Sequence, residues 1–237
     1  MDISSISFTV YLAIIPSIIL CLYVYHMDVV EKEPLRLLLV LFFVGVLTTL
    51  PARLIEKLLL SLTTYDYANI YDSFFISFVV IAIVEEGYKF IVFLVSLWNN
   101  KEFDYKYDAI VYCVFISLGF ATLENILYVQ NSGLDVAIWR GIISVPAHAF
   151  YAIASGFLLG LAKENSLKGN RSKKILLIIA AYLIPVLMHG TFDFLLLTEN
   201  DILFGIFFSF IALLYVISYT LIIKTYKQKK LFKRRGN

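Results

Sequence analysis

Two adjacent carboxylates, Glu85 and Glu86, lie in the middle of an apolar run covering residues 79–95, and Lys89 follows within one turn. Each charge at the centre of a membrane helix costs roughly 2.5–3.5 kcal/mol on insertion scales, so such residues are kept where they face a protein interior. Lys89 is four residues after Glu85 and three after Glu86. A helix therefore brings its ammonium beside either carboxylate. The two carboxylates point about 100° apart. One is expected to pair with Lys89 while the other faces a cavity. Three later stretches add polar groups: Glu124-Asn125 with Tyr128 one turn on; Arg140, Ser144 and His148 at four-residue steps on one face; and His189 with Asp193, again four apart.

The chemistry open to this set is narrow. No Ser/His/Asp or reactive Cys/His arrangement suggests itself, and neither a phosphate-binding glycine loop nor His-Glu-x-x-His is present. Water activation remains: a Glu as general base, His residues as metal ligands or oxyanion donors, and a cation to set protonation states. Amide hydrolysis fits this inventory, and proton relay fits it less well. Two imidazoles and a carboxylate, His148, His189 and Glu124, make a reasonable set for zinc or another divalent metal with an open position for water. A metal-free route competes, in which a Glu of the pair deprotonates water and the histidines steady the oxyanion.

Each residue also has a plainer reading. Lys89 is more simply a structural partner of a Glu than a reactive amine. Arg140 either snorkels to the interface or pairs with Asp193. Asp193 holds the His189 ring. Asn125 and Ser144 join helices. The ensemble is harder to dismiss, because an inert bundle has no need of two His and several Glu from four helices at one depth.

The elements that carry them are membrane helices. The chain has 237 residues, 60% hydrophobic and 16% aromatic, with mean hydropathy +0.83. The fold class is all-α, a polytopic helical membrane bundle. Seven transmembrane spans are expected, at about 8–25, 35–56, 73–98, 109–129, 135–161, 175–197 and, after Asp201, up to about 223. Residues 1–224 read as one membrane domain and 225–237 as a basic cytoplasmic tail. Pro34 suits a helix start, and Gly45 and Pro51 allow close packing or a kink in the second span. Cys21 and Cys113 fall inside spans and read as buried thiols. Met1 to Ser7 lacks the basic residues of a secretory signal. The surroundings are the lipid bilayer, and nothing calls for a nucleic-acid partner. The basic tail reads as a topology signal with affinity for anionic lipid.

Several stretches resemble, in order, the motifs of the PrsW family of intramembrane proteases. Glu85-Glu86-Gly87-Tyr88-Lys89 is similar to its Glu-Glu-x-x-Lys motif. Phe120 to Tyr128 resembles Phe-x-x-x-Glu-Asn-x-x-Tyr, and Pro146-Ala147-His148-Ala149 and His189-Gly190-Thr191-Phe192-Asp193 resemble its two histidine segments. Asp28 to Pro34 is similar to its first loop. The resemblance implies an active-site set of Glu85, Glu86, Glu124, His148 and His189, supported by Lys89, Asn125, Arg140 and Asp193. It also implies a membrane-anchored protein substrate, with an anti-sigma factor cut at its first site as the best-known case. Ala109, Cys113 and Ala147 stand where glycines are expected, which bears on helix packing. The rivals are a proton-coupled transporter, against which no inverted repeat is seen, and a non-catalytic immunity or binding protein on the same scaffold.

Orientation follows from Lys/Arg bias. Sixteen Lys/Arg lie in the first, third and fifth loops and the tail, two (Arg53, Lys57) on the opposite side, and Lys89 and Arg140 within spans. The N-terminus is expected outside and the C-terminus in the cytoplasm. A reporter fused after Asn237 should report the cytoplasm, and one inserted between Ser132 and Asp135 the exterior; the reverse at both sites overturns the seven-span reading.

Overall fold

A computed structural model describes residues 3–132, 134–198 and 200–227. Seven helices follow in the expected order: α1 (Ile3–Met27), α2 (Leu35–Ser61), α3 (70–97), α4 (Lys106–Ser132), α5 (Leu134–Leu167), α6 (Arg171–Leu197) and α7 (Asp201–Thr225). No strand occurs among the described residues. Most of the basic tail, residues 228–237, lies outside them, as do Gly133 and Glu199 at two expected helix ends.

Helix starts are written locally. Asn69, Asn170 and Asn200 each accept backbone N–H groups of the first turn, capping α3, α6 and α7. Pro34 precedes α2, whose first bonds return to its carbonyl. Six helices are long and apolar enough to cross a membrane. The seventh, α3, carries Glu85, Glu86 and Lys89 and runs in three pieces: Ile70–Phe74, wide π-helical turns over Phe75–Ala82, and Ile83–Leu97. At about 1.5 Å per residue it is as long as its neighbours.

Buried surface divides the helices into centre and rim. In α4 and α5, 83% and 78% of the membrane-length stretch is buried, against 22–33% for α1, α2, α6 and α7, so α4 and α5 form the centre and those four the rim. Rim helices turn large apolar side chains outward, such as Ile18, Leu22, Phe43, Leu47, Leu54 and Val216, as lipid contact requires. Close backbone approach sets the depth of packing. A Cβ at Gly45 would strike the Ile116 carbonyl, and one at Gly119 the Phe42 carbonyl, so α2 and α4 touch through their main chains. Gly156 does the same for α5 against Ala109 and Ile110. The close approach therefore survives the side chain at Ala109, because the glycine is on the facing helix. Both cysteines are free and buried, as expected.

One end of the bundle is closed by the loop between α1 and α2. Asp28 and Glu33 are buried there against Asp104 and Asp108 at the start of α4. Asp108 Oδ2 accepts the backbone N–H of Asp104 (2.9 Å) and Tyr105 (2.6 Å), fixing the helix start. The Tyr112 hydroxyl donates to Glu33 Oε2, and Glu33 shares a hydrogen bond with Asp108. Burial pushes the Glu33 carboxyl up to about 8, and the Asp28 charge adds to the rise; burial also raises Asp28, to about 6.

A raised carboxyl stabilises the fold below its unfolded value and loses that contribution as pH rises through its folded one. Apparent thermal stability in detergent should therefore fall between about pH 4.5 and 8. Glu33→Gln, which keeps the acceptor for Tyr112, should flatten that fall. An equal decline in variant and wild type would show that the shared proton contributes nothing.

Candidate active site

The wide turns in α3 sit just before Glu85, and a second set over Arg140–Ser144 in α5 sits just before His148. Such turns shift the helical phase and are common at functional sites. In α5 the cause is legible. Pro146 lacks an N–H and its ring crowds the carbonyl four residues back, so Ile142 is released from regular pairing. For the α3 segment we find no sequence cause. Gly190, beside His189, lets the Phe78 ring of that segment lie against α6, since a Cβ there would collide with it.

Lys89 is the hub. Its Nζ lies 2.8 Å from Glu86 Oε1, 3.3 Å from Glu85 Oε2 and 3.2 Å from His148 Nδ1. The ammonium also sits 4.3 Å from the centre of the Phe120 ring. The expectation that Lys89 would serve one Glu and free the other is thus modified: it touches both. The two carboxylates still diverge. Glu86 Oε1 is 2.9 Å from His189 Nδ1, and Glu86 with Lys89 lines a small cavity next to Ser117 and Ser155, with about 20 Å³ for the centre of a water molecule. That is room for one water among polar groups. Phe90 and Tyr182 stand at the side of this cavity, and the Tyr182 hydroxyl donates to the Ile83 carbonyl.

Both imidazoles are held from behind by a carboxylate. His148 Nε2 is 3.0 Å from Glu124 Oε2, and His189 Nε2 is 3.3 Å from Asp193 Oδ2. Each ring therefore directs Nδ1 at the Glu pair and Lys89. Arg140 pairs with Glu124 (2.8 Å) and donates from Nε to Asn125 Oδ1 (2.7 Å), so its partner is Glu124, and neither of the two roles weighed for it is its main contact. Glu85, Glu86, Lys89, Glu124, Asn125, Arg140, His148, His189 and Asp193 join this one network, and Glu85, Glu86, Lys89, Glu124, His148 and His189 are each at most 7% exposed. Ser144, expected to join helices, is buried without a place in the network.

The donors that could hold a metal are Glu85, His148 and His189, whose ligand atoms lie within 4.8 Å of one another. The trio expected from the sequence had Glu124 in place of Glu85. Glu124 instead lies behind His148, where it orients the ring, the arrangement metal-binding histidines commonly show. The donor set suits zinc. Five carboxylates (Glu56, Glu85, Glu86, Glu124, Asp193) and three fixed cations (Arg53, Lys89, Arg140) lie in and around the site, and His189 stands between two of the carboxylates, Glu86 and Asp193.

Four contributors were not singled out from the sequence. Glu56 reaches the site from α2, within electrostatic range of Glu124, Arg53, His189 and Lys89, and its buried Oε1 has no partner. It lies seven residues after Thr49, which bonds the Phe120 carbonyl at 3.2 Å, so helical spacing could have found it. Arg53 and Arg140 each lie over the Tyr128 ring, 5.0 and 4.0 Å from its centre. Tyr151, one turn after His148, stacks on His189 with ring centres 5.0 Å apart. Tyr182 carried no signal of its own.

Comparison with known proteins agrees with the geometry. Residues 33–222 match the family model described as PrsW family intramembrane metalloprotease. Protease PrsW of Clostridioides difficile (strain 630) is 38% identical over 192 residues, covering 79% of each chain. The Protease PrsW of Oceanobacillus iheyensis is 38% identical over 183 residues (77% of this chain, 80% of the relative). That of Bacillus subtilis (strain 168) is 35% identical over 184 residues, with the same shares of each chain. No solved structure matches. With a buried Glu/His cluster inside a bundle of membrane helices and a family match over most of its length, the chain belongs to the PrsW family of intramembrane proteases.

Proposed function

We propose that this multi-pass membrane protease hydrolyses a peptide bond of a membrane-anchored protein at the Glu85/Glu86/His148/His189 cluster. The observation that carries the reading is the convergence of Glu85, His148 and His189 donors within 4.8 Å, buried among the helices. The substrate class implied by the family resemblance is an anti-sigma factor cut at its first site. The chain's orientation in this reading is N-terminus outside and C-terminus cytoplasmic, on the strength of the Lys/Arg bias.

Glu85, His148 and His189 would hold a divalent metal such as zinc, which supplies polarisation of a carbonyl and a more acidic water. Glu86, which lines the small cavity, accepts a proton from the attacking water and delivers it to the departing amide nitrogen. The water oxygen adds to the carbonyl carbon to give a tetrahedral intermediate, whose collapse breaks the C–N bond and leaves a carboxylate and an amine. Lys89 holds both carboxylates in register. Glu124 and Asp193 fix the two rings, and Arg140 fixes Glu124.

A second reading dispenses with metal. It is favoured by one observation: all four ring nitrogens of His148 and His189 already face a polar partner, which closes the network. In that case Glu85, with longer contacts than Glu86, is the base and the imidazoles steady the oxyanion.

Glu85→Gln and Glu86→Gln should each slow cleavage about 100-fold or more while the protein still accumulates in the membrane, one more severely than the other. Near-normal processing by both single variants would sink the protease site. Zinc content of purified protein, and activity after chelation with zinc add-back, separate the two readings: full activity in a rigorously metal-free preparation selects the second.

A further inference from the structure

Tyr151 is the largest side chain of the site without a role in the network above. Its ring stacks on His189 (5.0 Å between centres, 20° between planes) and meets His148 edge-on at 5.9 Å. The residue is 1% exposed, yet its hydroxyl has no hydrogen-bond partner. A buried hydroxyl left unpaired costs about 1–3 kcal/mol, and groups of this kind in a native fold call for an explanation. Packing supplies none, because a phenylalanine would fill the same space and bury no polar atom.

Each nearby carboxylate has a partner elsewhere, and none accepts from this hydroxyl. The charges acting on the phenol come from Asp193, Glu86, Glu85 and Glu124. Asp193 is engaged with His189, Glu86 with Lys89 and His189, and Glu124 with Arg140 and His148. A phenol with an ordinary pKa of about 10 is an O–H donor at neutral pH. The ring that carries this donor stands against both imidazoles, between which a scissile carbonyl would be held for attack. Hydrolysis of an amide builds negative charge on that carbonyl oxygen, and a preorganised donor that is satisfied only then lowers the barrier.

We propose that the Tyr151 hydroxyl is a catalytic hydrogen-bond donor to the substrate's carbonyl oxygen as the tetrahedral intermediate forms. The inference rests on the protease reading, and it holds for either source of the activated water. The hydroxyl keeps its proton throughout: it donates a hydrogen bond, and the proton that moves is the water's. A donor that pairs only in the transition state acts on kcat and leaves KM unchanged.

The test uses the full-length protein in liposomes with a panel of quenched fluorescent single-span peptides, the best-cleaved peptide being taken for kinetics. Tyr151→Phe keeps both ring contacts and removes only the hydroxyl. It should lower kcat roughly 100-fold or more, with KM within about twofold, while the apparent melting temperature stays level or rises. Tyr151→Leu, which also removes the stack on His189, should lower kcat and the melting temperature together. Wild-type kcat in Tyr151→Phe overturns the proposal and leaves the protease reading intact. A lower melting temperature in Tyr151→Phe also overturns it, since the hydroxyl would then hold the fold. Cleavage of no peptide by the wild type removes the protease reading and this inference with it.

Discussion

The ammonium of Lys89, set among Glu85, Glu86 and His148, is the constraint on which the structure depends. In a bilayer no water is at hand to solvate a charge that fails to find its partner. Breaking a buried pair by removing one member typically costs 3–5 kcal/mol, because the other charge is left uncompensated. The partners of Lys89 come from α3 itself and from α5; those of His189 join α3 to α6; those of Glu124 join α4 to α5. The helices are thus tied together at the level where the chemistry takes place. Apolar packing then has to deliver these groups to one depth. The glycine contacts of α2 on α4 and of α5 on α4 do so by bringing main chains together.

Two of the three helices that deliver the reactive groups are irregular, α3 and α5, while α6, which carries His189, is a continuous α-helix. Wide turns precede Glu85 in α3 and His148 in α5, whereas α4, which carries Glu124, stays regular through residue 132. A regular helix turns successive side chains by a fixed angle. A wide turn changes that phase below the turn while leaving the lipid-facing side above it in place. That resolves a conflict between two demands on α3: an outward face for lipid along its first half, and an inward face for Glu85, Glu86 and Lys89 in the second.

Much of this was legible in the sequence, for a physical reason. Charges inside apolar runs carry so large a cost that Glu85, Glu86, Lys89, Glu124, His148 and His189 announce themselves, and seven helices follow from hydropathy. Which of them touch was less legible. Spacing along α3 allowed Lys89 to reach either carboxylate, and only tertiary packing shows that it reaches both. Glu124 looked like a ligand since its type and depth are right. Its rotamer, fixed by Arg140 from another helix, turns it to the back of His148. Arg140 itself lay near a span end, where interface and interior look alike in sequence. Glu56 was hidden by the same ambiguity, sitting near the end of α2 beside Arg53 and Lys57. The wide turn of α3 had no warning residue, while that of α5 had Pro146.

In water, carboxylates that outnumber cations would be screened within about 10 Å by salt. At the centre of this bundle screening is absent and their charge has to be met locally, by protons or by a cation. A proton has a place on His189, whose two ring nitrogens each face a carboxylate, Glu86 and Asp193. A divalent cation among Glu85, His148 and His189 would take ring nitrogens that now face Lys89 and Glu86, while Glu124 and Asp193 would still hold the rings. The same reasoning explains why Lys89 is a lysine. An ammonium is compact and sits on a flexible stem, so it can be shared by Glu85, Glu86 and His148 and can yield ground among them, whereas the fixed fork of a guanidinium would favour one carboxylate and leave the other to be neutralised by other means.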